Sequence, residues 1–175
     1  MFLNKKKLFL LISISLIFFF LNYNDIESDE IKVISGIAKV IDGDTIRIGE
    51  KKIRLLGIDA PEIKQTCKKT WLSTSFISFR KDYPCGEIST IRLKKKINDK
   101  FVICKYINKD RYKRYIAECF KNKININAWM VRSGHAVAYK KYSKKFVAEE
   151  NIARKEKSGL WSGTFEMPWD FRKKN

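Results

Sequence analysis

The chain has 175 residues, of which 45% are hydrophobic and 13% aromatic, so it holds enough apolar side chains for the core of one domain. This composition excludes a disordered basic tail, a collagen-like chain and a coiled coil. Lys and Arg number 37 against 19 Asp and Glu, which gives a formal net charge of +18 at pH 7. Such an excess points to a polyanionic partner: a nucleic acid, an anionic membrane surface or an acidic polysaccharide.

Residues 1–21 have the pattern of an export segment. Lys5–Lys7 precede the apolar run Leu8–Leu21, the order of a positive n-region and a hydrophobic h-region. As a helix this run would span about 21 Å, short of the ~30 Å hydrocarbon core of a bilayer, which favours a signal peptide. No small-residue cleavage site follows, so an uncleaved membrane anchor remains the alternative. Either segment places the rest of the chain outside the cytoplasm: periplasmic, secreted or membrane-anchored.

The folded domain is expected at residues 32–165, after a polar tether at residues 22–31 and before a basic tail at residues 166–175. Apolar alternation predicts three strands, and residues 64–84, which show no clear period, are predicted to form a long loop. The elements predicted in chain order are strands Ile34–Ile41, Thr45–Ile48 and Lys51–Ile58, helix Gly86–Ile97, strands Phe101–Tyr106 and Tyr112–Cys119, helix Asn125–Ser133, and a last helix from Ser143 to Gly159. Five short strands with interleaved helices indicate an α+β domain built on a small barrel.

Four cysteines form an even set that allows three pairings. Cys104 and Cys119 lie symmetrically about a predicted turn near Asp110–Lys113, as cross-strand residues of a hairpin would. We therefore favour the pairs Cys104–Cys119 and Cys67–Cys85. A zinc site is the rival interpretation, but the chain has no C-x-x-C spacing and only one histidine. Disulfides imply an oxidising compartment, which agrees with an export segment.

Two close pairs of carboxylates, Asp42 with Asp44 and Asp59 with Glu62, fall within 21 positions of this otherwise basic domain. Asp44 follows the first predicted strand and Asp59 ends the third, so neighbouring strand ends would bring them together. Clustered carboxylates repel one another and attract a cation. Ligands that are all oxygen favour a hard ion such as Ca²⁺ or Mg²⁺ over zinc. An Asp-Gly dipeptide alone is typical of a hairpin turn, but a turn does not explain the second acidic pair with Arg54 beside it.

Three ordered motifs carry a family resemblance: Val40–Thr45 (VIDGDT), Ile53–Glu62 (IRLLGIDAPE) and Asp110–Arg114 (DRYKR). Together they resemble the staphylococcal nuclease-like (thermonuclease) family, with the similarity running from about Ile34 to Trp161. The resemblance implies a five-stranded OB-fold barrel with about three helices. It also implies a phosphodiesterase that uses one Ca²⁺ ion to cleave DNA and RNA, expected here as a monomer.

The same resemblance implies a role for individual residues. Asp44, Asp59 and the Ala60 carbonyl correspond to the calcium ligands, and Glu62 corresponds to the general base. Arg54 and Arg114 correspond to the two arginines that bind the phosphate. Nucleotide contacts correspond to Tyr112 and Tyr139, with Arg111 beside the former, and Asp42 to a nearby, non-essential acid.

One position departs from the family pattern. Lys113 stands where the family commonly has glycine before its second arginine, so a different turn is expected there and the direction of Arg114 is in question. Two other functions fit the charge: a barrel that binds single strands without cleaving them, and a surface-anchored basic protein serving adhesion or DNA uptake. The intact set of acids and arginines favours a nuclease over the first of these, and the second, in which cleavage would be secondary, stays open.

Overall fold

A computed structural model describes residues 31–73 and 78–174 of the chain. The expected export segment and residues 22–30 of the expected tether lie outside this range. Within it, no helix has the length and hydropathy needed to cross a bilayer.

Five strands close into a barrel. They are β1 (Lys32–Val40), β2 (Thr45–Ile48), β3 (Lys51–Leu55), β7 (Phe101–Lys109) and β8 (Tyr115–Lys121), hydrogen-bonded in the order β3-β2-β1-β7-β8. All these pairs are antiparallel, and a parallel pair between β3 and β8, with Ile53 opposite Tyr115, closes the circle. Alternate residues of each strand face inward and are buried, among them Ile46, Ile53 and Val102. The predicted α+β fold with a five-stranded OB-fold-like barrel is confirmed.

Short strands and helices surround the barrel. The strands are β4 (Ile58–Asp59), β5 (Cys67–Ser73), β6 (Ser78–Tyr83), β9 (Ile124–Asn125), β10 (Val137–Ala138) and β11 (Gly163–Thr164). The helices are α1 (Cys85–Ile97), α2 (Ile126–Arg132), α3 (Val147–Lys155) and α4 (Pro168–Lys174), with a 3₁₀ turn at Gly159–Ser162. The described part of the chain thus has one more α-helix than the expected three, and it lies in the segment expected to be a basic tail.

The third predicted strand is interrupted shortly before Asp59. Instead of one strand over Lys51–Ile58, β3 ends at Leu55 and β4 starts at Ile58. Gly57 between them has φ of +71°, and a Cβ there would lie 3.0 Å from the Ser143 side chain and 3.3 Å from Phe146. Glycine permits both the backbone conformation and this close approach. The break turns β4 away from the barrel to pair with β10, with Asp59 opposite Val137.

The prediction of a long loop at residues 64–84 was wrong. Strands β5 and β6 form an antiparallel hairpin there, and β11 pairs with the other edge of β5. The hairpin lies outside the barrel and carries exposed Lys68, Lys69, Arg80 and Lys81. Charged residues follow one another at Lys68–Lys69 and at Arg80–Asp82, so the sequence here lacks the apolar alternation by which strands are recognised. The last helix was also predicted too long, because α3 covers only Val147–Lys155.

Both expected disulfides are present. Cys104 and Cys119 are directly opposite each other on β7 and β8, as the hairpin spacing predicted. Cys67 at the start of β5 is bonded to Cys85 at the start of α1, which closes the base of the β5–β6 hairpin.

His135 packs away from the carboxylates. Its ring lies 6.1 Å from that of Trp129, and its backbone carbonyl accepts a 2.6 Å hydrogen bond from the Ser89 hydroxyl. Burial lowers the pKa of His135 to about 4, and the positive charge of Arg92 acts in the same direction. These contacts support a structural role for this imidazole.

His135 should make the domain less stable in mild acid. Its folded pKa lies below the unfolded value near 6.5, so protonation favours the unfolded chain and stability falls as the pH drops from about 6.5 towards 4. We expect this group to remove about 2 kcal/mol of unfolding free energy between pH 8 and pH 5. Urea denaturation of the wild type and of His135→Asn at both pH values measures the difference. Equal losses in the two proteins would contradict the assignment.

Candidate active site

The loop between β1 and β2 presents Asp44. The Asp42 side chain accepts a 3.0 Å hydrogen bond from the Asp44 amide, and the Thr45 carbonyl accepts one of 2.9 Å from the Ile41 amide. These bonds form a tight Asx-type turn. A Cβ on Gly43 would lie 2.6 Å from the Ala60 Cβ, so glycine lets this turn pack against the chain that follows β4. As a result the Asp44 carboxylate accepts a 2.8 Å hydrogen bond from the Ala60 amide.

Arg54 bridges the two buried carboxylates of the site. One of its terminal nitrogens pairs with Asp44 and the other donates a 2.6 Å hydrogen bond to Asp59 Oδ1. The Asp59 side chain is 0% exposed and that of Asp44 4%, so both need a cationic or hydrogen-bonding partner. Pairing of β2 with β3 sets Arg54 opposite Thr45, which places the guanidinium beside Asp44. The structure therefore brings the predicted Asp44, Arg54 and Asp59 together.

Burial dominates the electrostatics of this cluster. Desolvation lowers the pKa of Arg54, although the charge and hydrogen bond of Asp59 oppose the change. Desolvation also raises the pKa of Asp42, and the charge of Arg54 with hydrogen bonds from Thr45 offsets only part of that rise. The charge of Arg114 contributes at both groups, so this second arginine acts on the same site.

Glu62 follows Asp59 by three residues and lies at the edge of the site. Its side chain is 42% exposed, while its amide donates a 3.3 Å hydrogen bond to the Gln65 side chain and its carbonyl accepts one of 2.7 Å from the Gln65 amide. A Cβ on Gly86 would lie 1.7 Å from the Glu62 carbonyl oxygen, so the first turn of α1 packs directly on this backbone. The Glu62 carboxylate is thus accessible to solvent, while its backbone is held in place by Gln65 and α1.

Asp110 orients Arg114 within the turn between β7 and β8. Asp110 Oδ1 accepts hydrogen bonds of 2.9 Å from the amides of Tyr112 and Arg114, and Oδ2 accepts one of 2.8 Å from Arg114 Nε. Desolvation raises the pKa of Asp110, but these hydrogen bonds and the Arg114 charge outweigh it and lower the pKa below its usual range. The sequence placed Asp110 in a predicted turn and in a motif but predicted no role for its side chain. The spacing of four residues between Asp and Arg is the signal that could have identified it.

Lys113 occupies the glycine position of this turn with φ of +61°. Lys113 thus adopts the left-handed conformation, and hydrogen bonds to Asp110 set the direction of Arg114. That conformation costs a non-glycine residue about 1–2 kcal/mol.

The predicted nucleotide contacts lie on two different elements. Tyr112 is 64% exposed, and the guanidinium carbons of Arg111 and Arg114 lie 4.8 and 5.5 Å from its ring centre. Tyr139 follows β10, and its amide donates a 2.9 Å hydrogen bond to the Gly57 carbonyl beside β4. Tyr112 thus lies on the turn that carries Arg114, and Tyr139 lies beside the break that precedes Asp59.

Two further side chains reach the site from α4, and sequence analysis missed both. Arg172 Nη1 donates hydrogen bonds of 3.0 Å to Asp59 Oδ1 and 2.7 Å to Glu62 Oε1, and Nη2 donates one of 2.8 Å to Asp59 Oδ2. Desolvation lowers the pKa of Arg172, but the bonds and charges of Asp59 and Glu62 outweigh it and raise the pKa. Trp169 stacks on Tyr139 with ring centres 5.3 Å apart. Contacts across more than 100 positions leave no local sequence signal.

The donor set fits a hard cation. In the ranges that the structure describes, no group of three or more His, Cys, Asp or Glu forms a metal cluster. Asp44 and Asp59 nevertheless place two buried carboxylates around one positive group, Arg54, and the Ala60 backbone is held against Asp44. Carboxylate and carbonyl oxygens are the ligands that Ca²⁺ and Mg²⁺ prefer.

Comparison with known proteins agrees with the motifs. The family described as staphylococcal nuclease homologues matches residues 52–163. A protein of Escherichia coli O157:H7 named "Uncharacterized endonuclease" is 35% identical over 147 residues, 78% of this chain and 84% of that protein. A Haemophilus influenzae protein of the same name is 35% identical over 169 residues, 91% of this chain and 80% of that protein. A protein of Oryza sativa subsp. japonica, named as a staphylococcal-like nuclease, is 33% identical over 133 residues, 74% of this chain and 31% of that protein.

Glycine should be the more favourable residue at position 113. Lys113→Gly relieves the left-handed strain but increases the entropy of the unfolded chain, so we expect a net stabilisation of about 0.5–1 kcal/mol. Lys141→Gly, at an exposed lysine without a positive φ, should instead lower the stability. Urea denaturation of both variants measures these opposite changes in unfolding free energy. A destabilised Lys113→Gly would contradict the strain attributed to the left-handed conformation of Lys113.

Proposed function

The chain belongs to the family of staphylococcal nuclease homologues, and we propose that it hydrolyses phosphodiester bonds of DNA and RNA with Ca²⁺ as its cofactor. The observation that carries this proposal is the position of Arg54, held between Asp44 and Asp59. An arginine fixed by two buried carboxylates presents a permanent positive charge in one geometry. Such a group suits a phosphate, whose charge grows as water attacks.

Asp44, Asp59 and the Ala60 carbonyl would hold the cation. When bound, Ca²⁺ supplies a Lewis acid that polarises the phosphate. Asp44 is already fixed by the Ala60 amide and Asp59 by its position opposite Val137, so neither ligand has to be ordered on binding.

Glu62 is proposed as the general base, with Arg54 and Arg114 stabilising the phosphoryl transition state. The Glu62 carboxylate combines a fixed backbone with partial solvent exposure, which lets it accept a proton from a water molecule beside the phosphate. Asp110 Oδ2 holds Arg114 through Nε and Nη2, which leaves the Nη1 N–H groups to face an anion. Two guanidinium forks match phosphate oxygens in a way that lysines do not.

Substrate binding is proposed to use charge and stacking. Tyr112, Tyr139 and Arg111 would contact the nucleotide, and the net charge of +18 favours contacts with the nucleic-acid backbone that ignore sequence. Binding should therefore weaken as the salt concentration rises.

We also propose that the domain works outside the cytoplasm, as a monomer. Two disulfides in the described residues suit an oxidising compartment. Residues 1–21 supply the export pattern, as a cleaved signal or as a membrane anchor. Cell fractionation with a mass measurement of the recovered protein tests this, and recovery of the intact chain from the cytosol alone would contradict it.

Removal of the proposed base should abolish most of the activity. We expect Glu62→Gln to lower kcat by about 10²–10⁴-fold on single- and double-stranded DNA and on RNA, because the amide cannot accept the proton of water. Cleavage by the wild type should require Ca²⁺ and stop on addition of a chelator. Initial rates with the full chain, in Ca²⁺, in Mg²⁺ and in chelator, measure both effects.

The matched control is Glu156→Gln, at an exposed carboxylate whose ion pair is with Arg132. Its rate should equal that of the wild type. Unchanged cleavage by Glu62→Gln would remove the proposed base. Salt-sensitive binding of nucleic acid without cleavage in any metal would instead indicate a binding protein.

A further inference from the structure

Helix α4 reaches the same carboxylates that the proposed function assigns to the cation and to the base. Arg172 donates to both oxygens of Asp59 and to one oxygen of Glu62. With Arg54 also donating to it, Asp59 Oδ1 accepts two hydrogen bonds, the number of its lone pairs. A cation that approaches Asp59 therefore finds Oδ1 already hydrogen-bonded. It is also repelled by the positive charge of Arg172, which lies at hydrogen-bond distance from that oxygen.

The helix is anchored to the domain. The Gln65 side chain, which is 0% exposed, donates a 2.7 Å hydrogen bond to the Glu166 carbonyl just before α4. Pro168 is buried, and Trp169 packs against the small apolar cluster that contains Cys67, Cys85, Val137 and Leu160. Because Gln65 also binds the Glu62 amide, one buried side chain links the approach of α4 to the backbone of the proposed base.

The same helix covers a proposed nucleotide contact. The rings of Trp169 and Tyr139 are stacked, with centres 5.3 Å apart and planes 13° from parallel. A nucleobase that stacked on this face of Tyr139 would have to replace Trp169. Arg172 and Trp169, both on α4, thus occupy the positions that a cation and a nucleobase would need.

We propose that α4 is an intramolecular occupant of the active site, which Ca²⁺ and the nucleotide must displace before cleavage. This inference rests on the proposed function. Displacing Arg172 requires free energy, because its hydrogen bonds to Asp59 and Glu62 must break. The wild-type site should therefore bind Ca²⁺ more weakly than the same site without Arg172. Coupling between the two is reciprocal, and Ca²⁺ binding must weaken the hold of α4 to the same extent.

Calcium binding, measured by calorimetry on the full chain without substrate, tests the competition. We expect Arg172→Gln to bind Ca²⁺ at least tenfold more tightly than the wild type. Arg172→Lys keeps the charge but cannot fork across Asp59 and Glu62, so its affinity should lie between the two. Arg132→Gln removes an exposed arginine paired with Glu156 and should leave the affinity unchanged.

Fluorescence of Trp169 reports the displacement itself. Ca²⁺ should change the tryptophan emission of the wild type, and Trp169→Phe should lose that change. Equal Ca²⁺ affinity in the wild type and Arg172→Gln, wild-type affinity in Arg172→Lys, or Ca²⁺ binding without a change in Trp169 emission would each overturn the proposal. Thermal unfolding of every variant confirms that it is folded.

The outcomes separate this inference from the proposed function. If the wild type cleaves at saturating Ca²⁺ but Arg172→Gln gains no Ca²⁺ affinity, the proposed nuclease function is supported and the occupation of the site by α4 is contradicted. If Arg172→Gln binds Ca²⁺ more tightly and Trp169→Phe loses the Ca²⁺-dependent change in emission, but no variant cleaves nucleic acid, the nuclease function is contradicted. The competition between α4 and Ca²⁺ is then supported.

Discussion

Two carboxylates buried side by side at strand ends determine the arrangement of this site. Asp44 and Asp59 are almost without solvent, so each would be costly as an unpaired anion. Arg54 compensates both, and because its side chain is also largely buried, it has little freedom to take another geometry. The arginine proposed to bind the phosphate is therefore oriented by the folded domain before any substrate arrives.

The barrel contributes to the site mainly by bringing distant strand ends together. Asp44 comes from the β1–β2 loop, Arg54 from β3 and Arg114 from the β7–β8 hairpin, while β4 leaves the barrel at Gly57 to deliver Asp59. Asp44, Asp59 and Arg114 each depend on a backbone feature near them: an Asx turn, a glycine break and an aspartate-stabilised turn, respectively. Small changes in these backbones would move charged groups relative to one another, even though the barrel itself persisted.

The local sequence pattern was sufficient to predict the elements that bury an apolar face. The barrel strands alternate between core and solvent, and the spacing of Cys104 and Cys119 about a turn predicted their bond. In the β5–β6 hairpin, where charged residues follow one another in the sequence, periodicity gave no signal for a strand. Arg172 could not be predicted from its neighbours, because a basic residue near the end of a basic chain is ordinary until the fold places it beside Asp59.

The Cys67–Cys85 bond makes the β5–β6 hairpin a covalent ring that begins and ends at fixed points, with Cα atoms 5.7 Å apart. One end lies next to the buried Gln65 and the other at the first turn of α1, which packs on the Glu62 backbone. Residues inside the ring can therefore be lengthened, shortened or exchanged while the distance between its ends stays constant. This region is a natural position for grafting a foreign recognition loop beside the candidate active site.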